Sequence, residues 1–114
     1  MLPRNARLTS PEEFARTTKS GFRQSSTSLV AYLYLTEKTE PARCGLIVSK
    51  NVGGSVVRHR IARQLRHGLL EHITQLPTGA LIVIRALPTA TAKEVRQELD
   101  LALPKLITKS LAKK

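Results

Sequence analysis

Residues 56–74 read as one long helix with a single narrow apolar arc. On a helical wheel Val57, Ile61, Leu65, Gly68, Leu69 and Ile73 share one side, His59, Arg63, Arg66 and His67 share the other, and Arg60 lies at the margin. The helix stands between two apolar runs with strand character, RCGLIVSK at residues 43–50 and LIVIRA at residues 81–86. A helix with one apolar arc can bury that arc against one layer only. Its arginine side is therefore left facing outward.

The rest of the chain supplies the layers. Ser10-Pro11-Glu12-Glu13 announces an earlier helix: Ser10 caps it, Pro11 suits the first turn, Glu13 stands at capping-box spacing, and Gly21 ends it. Residues 28–36 read as a strand with Leu29, Ala31, Leu33 and Leu35 on one face and Val30, Tyr32 and Tyr34 on the other. Polar residues 37–41 read as a hairpin connection, so residues 43–50 are expected to pair antiparallel with that strand. Residues 51–55 form a loop that closes on Ser55 as the cap of the arginine helix. Residues 77–79 make a turn before the interior strand at 81–86.

The last helix starts near Thr91, which has capping-box spacing to Glu94, and buries Val95, Leu99, Leu103 and Leu106. Pro104 removes a helical donor and predicts a kink near residues 100–103. Residues 22–24 offer one further short strand. The order is α-β-β-α-β-α, an α/β (α+β) sandwich on a small mixed sheet, with one domain over residues 1–114. Residues 1–9 are expected to form a basic arm, and residues 110–114 a basic tail that frays.

Charge narrows the partner. The 114 residues include 19 Lys and Arg against 8 Asp and Glu, a net charge of +11. Between Arg43 and His67 stand Arg43, Lys50, Arg58, Arg60, Arg63 and Arg66, with no acid among them. Four arginines fall within nine residues of one helix, where a merely solvated helix would interleave both signs for pairing four residues apart. Such a block repels itself unless an anion lies against it, and guanidinium groups suit bidentate phosphate contact. Nucleic acid is the expected partner. A membrane surface fits poorly, because the helix's apolar arc is needed by the core. No apolar run approaches the ~20 residues of a bilayer span, and a single cysteine suits a reducing cytosol.

Residues for chemistry of the chain's own are scarce. His59, His67 and His72 lie on one helix, and no carboxylate is placed to orient the first two. Zinc would require four ligands that these spacings do not provide. Cys44 alternates with Leu46 and Val48 and reads as a small buried hydrophobe. Gly53-Gly54 is too short to cradle a nucleotide.

The stretch Arg43-Cys44-Gly45-Leu46-Ile47-Val48-Ser49-Lys50, then Gly53 and Arg58-His59-Arg60-Ile61-Ala62-Arg63-Gln64-Leu65-Arg66, resembles the protein component of bacterial ribonuclease P. That family carries a strand ending in Ser-Lys, a glycine loop and an RNRxKRxxR helix. Arg7-Leu8 followed by Glu13-Phe14 matches as well. Three positions depart from the pattern. His59 replaces the usual Asn, Ala62 replaces the usual Lys and so removes a cationic contact, and Thr18 stands where a second aromatic is common.

The resemblance implies an RNA-binding subunit that assists a catalytic RNA in removing the 5′ leader from precursor tRNA. It also implies an α/β sandwich similar to a ribosomal-protein domain, with a left-handed crossover around the arginine helix. Lys50, Asn51, Arg58, His59, Arg60, Arg63 and Arg66 would contact the RNA subunit. Phe14 and Tyr32, extended by Arg4 and Arg7, would hold the single-stranded leader. The resemblance further implies magnesium ions mainly on the RNA, no obligate protein partner and a cytoplasmic setting. The competing expectations are a ribosome-associated or general RNA-binding module, and a self-sufficient nuclease using His59 or His67.

Overall fold

The computed structural model describes residues 6–112. Helix α1 spans Pro11–Ser20, followed by strands β1 (Phe22–Ser25) and β2 (Leu29–Leu35). Strand β3 (Arg43–Ile47) precedes a single 3-10 turn at Lys50–Val52 and helix α2 (Ser55–His72). A second 3-10 turn at Ile73–Gln75, strand β4 (Ala80–Ala86) and helix α3 (Ala92–Ala112) complete the chain.

The sheet order is β1-β2-β4-β3, with β1 and β2 antiparallel, β2 and β4 antiparallel, and β3 and β4 parallel. The expected hairpin between the strands at residues 28–36 and 43–50 is therefore not formed, because β4 inserts between them. The reason lies in composition. LIVI supplies a segment apolar on both faces, and such a segment belongs in the centre of a sheet. Leu81, Ile82, Val83 and Ile84 are all buried there. The polar residues 37–41 thus bridge two strands that never bond to each other.

Alternation along the strands divides the core between two faces. Leu29, Ala31, Leu33, Ile82 and Ile84 meet Ile61, Leu65 and Leu69 of α2 and Val95, Leu99, Leu103 and Leu106 of α3. Val30, Tyr32, Leu81 and Val83 meet Leu8 and Phe14 on the other face, under α1. Gly68 sets how closely α2 and α3 approach. A Cβ there would lie 2.5 Å from Leu99 Cδ2, so a side chain would force the helices apart.

Several local expectations are corrected. Ser10 Oγ accepts from the Glu13 N–H at 3.4 Å, but the Glu13 carboxylate does not close a capping box and grips Arg43 instead. The N-cap of α2 is Gly54 with no side-chain cap, and Ser55 is already helical. Val57 is 43% exposed rather than part of the buried arc. It sits in the first turn, short of the sheet that covers Ile61 onward. Pro104 lies inside α3, as the sequence placed it, at an exposed position. The last described turn of α3 is helical to Ala112 and holds Ser110, fully buried, where fraying was expected over residues 110–114, of which 113 and 114 lie outside the described residues. Lys109 Nζ also donates to the Arg23 carbonyl at 2.9 Å, tying that turn to β1.

Candidate nucleic-acid interface

The segment before α1 is not a free arm over its described part. Leu8 is 4% exposed and its N–H donates to the Cys44 carbonyl at 2.8 Å, while Arg7 bridges Cys44 in parallel. Arg4 lies outside the described residues. From this anchor the chain enters α1, and the Arg43 guanidinium grips the Glu13 carboxylate with two hydrogen bonds of 3.0 and 2.5 Å. The bidentate pair pins α1 to the edge strand. It also neutralises Arg43, the first cation of the acid-free block.

Pinned this way, α1 hangs Phe14 over Gly45. The half-buried ring occupies the space where a Cβ of residue 45 would be. A depression of about 340 Å³ opens beside it, lined by Arg7, Phe14, Gly45, Leu46 and Arg66 among others. Tyr32 is 8% exposed, packed with Val30, Leu81 and Val83. It belongs to the same face through a row across the sheet, because Gly45 pairs with Val83, Val83 with Tyr32, and Tyr32 with Arg23. Thr18 bonds its own helix through Phe14 O at 3.1 Å and offers no ring.

A second depression of about 270 Å³ runs on from the first, with Leu46 and Arg66 common to both. Val48, Ser55, Arg58, His59 and Ala62 complete it. Ala62 is buried in its floor, where the related pattern has a lysine. Arg58 Nε is buried without a hydrogen-bond partner among the described residues. The outer surface of α2 continues as a shallow depression of about 440 Å³ lined by His59, Arg63, Arg66 and His67. Lys50 and Asn51 are exposed on the turn before α2, where Ser49 Oγ donates to Asn51 Oδ1.

The structure therefore brings Arg58, His59, Arg63 and Arg66 together on one side of α2, next to Phe14 and Arg7. Arg60 is turned away, toward the start of α3. Among the described residues none of Lys50, Arg58, Arg60, Arg63 and Arg66 pairs with a carboxylate. Three of the acids are engaged elsewhere, Glu13 with Arg43, Glu71 with Arg96, and Asp100 with His72 and Arg96. The Arg96 hydrogen bond and charge hold the Glu71 carboxyl below its ordinary range.

Of the three histidines, His59 and His67 border the same shallow depression on α2, and His72 lies apart from it. His72 binds Asp100 Oδ1 at 3.0 Å and Gln75 Oε1 at 3.3 Å, a link between α2 and α3 that the sequence reading did not find. Only the fold brings residues 28 apart into contact. Burial pushes the Cys44 thiol up to about 12. No three His, Cys, Asp or Glu side chains among the described residues are grouped so that they could hold a metal ion. No helix among the described residues is long and apolar enough to cross a membrane.

An α/β sandwich with unpaired arginines along one helix and an aromatic-lined depression beside them defines a nucleic-acid-binding protein. The sequence matches the Ribonuclease P family profile over residues 2–109. It is 43% identical over 109 residues to the ribonuclease P protein component of Beutenbergia cavernae, covering 93% of this chain and 92% of that one. It is 39% identical to that of Streptomyces avermitilis, covering 94% and 96%. The fold is similar to the RNase P proteins of Staphylococcus aureus, with TM-score 0.79, 23% identity and coverage of 90% and 97%, and Thermotoga maritima, with TM-score 0.68, 19% identity and coverage of 90% and 96%. The chain belongs to the ribonuclease P protein component family. It is thus a subunit of an endoribonuclease complex that processes tRNA, and its partner is an RNA subunit. Nothing in these similarities favours a ribosome-associated module.

Proposed function

We propose that this chain binds two RNAs at once, the ribonuclease P RNA along α2 and the single-stranded 5′ leader of precursor tRNA beside Phe14. The observation that carries the reading is the continuity of the two depressions through Leu46 and Arg66. An RNA strand leaving the leader site passes directly onto the cationic side of α2.

Arg58, His59, Arg60, Arg63 and Arg66, with Lys50 and Asn51, take the RNA subunit. Phosphate contacts of this kind position a partner without reading its sequence. Phe14, backed by Tyr32 and flanked by Arg7 and Arg4, takes the leader, because stacking on an aromatic ring tolerates any base. The chain alone is non-catalytic. Hydrolysis belongs to the RNA subunit and its magnesium ions, in the cytoplasm, and the protein lowers repulsion between two polyanions.

Reconstitution tests the reading. The chain is added to a ribonuclease P RNA at low magnesium, with precursor tRNA carrying or lacking a leader. Tighter substrate binding that depends on the leader is the expected result. Equal effects on both substrates would remove the leader site, and no effect on either would remove the two-RNA reading. Cleavage by the protein without the RNA subunit would return the reaction to the chain.

A further inference from the structure

We infer that the arginine helix carries a second RNA-contact groove on its other flank, between α2 and the start of α3. It would take the sugar-phosphate backbone of another segment of the RNA subunit. The inference rests on the RNA-subunit reading above, which already gives Arg60 to that RNA, and adds to it the flank formed by Gln64, Lys93 and Gln97. Its origin is helical geometry, since side chains two positions apart on an α-helix point about 200° apart. Arg58 looks into the depression beside β3, and Arg60 consequently looks the other way.

There Arg60 borders a depression of about 190 Å³ with Val57, Ile61, Ala90, Thr91 and Ala92. Ala92 is shared with a neighbouring depression of about 430 Å³, lined also by Gln64, Lys93, Arg96 and Gln97. The result is one groove with a largely apolar floor and a polar, cationic rim. Among the described residues Arg60 and Lys93 form no ion pair, whereas Arg96 is neutralised by Glu71 and lies near Asp100 at 3.9 Å. Positive charge is therefore uncompensated at the Arg60 end and cancelled toward the end of α2.

That layout suits a backbone. Riboses rest on apolar atoms while Arg60, Lys93 and the amides of Gln64 and Gln97 reach phosphates and 2′-hydroxyls. A small anion would need an enclosed pocket, and an apolar peptide would gain nothing from the rim. A groove open along two helices fits a strand.

Tethered cleavage tests it. Cys44 is buried, so a cysteine introduced at an exposed site becomes the reactive thiol of the full-length protein. Gln97→Cys, His59→Cys and Glu37→Cys variants each receive an iron chelate and are assembled with the RNA subunit. The expected result is strand scission from position 97 at nucleotides separate from those cut from position 59, above the background from position 37. In parallel, Lys93→Ala should reduce the magnitude of the salt slope of RNA-subunit binding by about 0.7, with leader dependence and melting temperature unchanged. Scission from position 59 alone, together with a wild-type slope for Lys93→Ala, would overturn the second groove and leave the two-RNA reading intact. Scission from neither position would overturn both.

Discussion

The ring of Phe14 stands where a side chain of residue 45 would go, with a Cβ on Gly45 reaching to 2.7 Å of Phe14 Cε1 and closer still to Cζ. One glycine on the edge strand thus sets the position of the one aromatic that α1 offers to the depression beside β3. Gly45→Ala should swing the ring outward and reduce leader-dependent tightening. Phe14→Ala should remove about 1–3 kcal/mol of leader binding, the range of one stacked base. Both are read from the affinity ratio for precursor tRNA with and without a leader. An unchanged ratio in Phe14→Ala would take that ring out of the leader site.

Arg43 and Arg63 make a sharp pair for mutagenesis, because both belong to the acid-free block and only one is neutralised. Arg43 is held by Glu13, so Arg43→Ala should leave the salt slope of RNA-subunit binding unchanged while lowering the melting temperature. Arg63→Ala should leave the melting temperature unchanged, weaken binding by about 1–3 kcal/mol if its contact is bidentate, and reduce the slope by about 0.7. Titrating binding against salt for the two variants separates the roles.

Cys44 yields a prediction on pH. Its thiol is pushed from an ordinary 9.0 up to about 12 by burial. Between these values the unfolded chain has lost the proton that the folded chain retains, so stability falls as pH rises from about 9 toward 12. Cys44→Ala should abolish this component of the alkaline destabilisation in urea titrations, even though the cavity it leaves lowers stability at pH 7. Below pH 9 the native thiol should resist alkylation that the unfolded chain undergoes readily.

Much of this molecule was legible before it was folded. The alternation at Leu29 to Leu35 gave both faces of β2, and the heptad-like spacing of Val95, Leu99, Leu103 and Leu106 gave the buried side of α3. Arg63 and Arg66 of α2 were readable because periodicity places them opposite a core arc. Pairing was not readable, since nothing in residues 37–41 says that a strand 40 positions later will take the place beside β2. Side-chain partners were hidden for the same reason. Glu13 had a local use as a box residue, and a cation 30 positions away displaced it. The opposed directions of Arg58 and Arg60 followed from helix geometry, but what each would face depended on where β3 and α3 came to lie.

The hydrogen bond from Leu8 to Cys44 also bears on solubility. An outer strand with free N–H and C=O groups is a template for pairing with a second molecule, and the commonest natural remedies are shortness and cover. Here β1 is only four residues long and carries a charge, while β3 is shielded by the segment at residues 6–8. A chain shortened to begin at Ser10 would bare that edge. Light scattering should then show self-association that rises with salt, as screening removes the mutual repulsion of a strongly cationic protein. The segment that leads into α1 is in this sense a guard against fibre-like assembly, whatever its neighbours do for RNA.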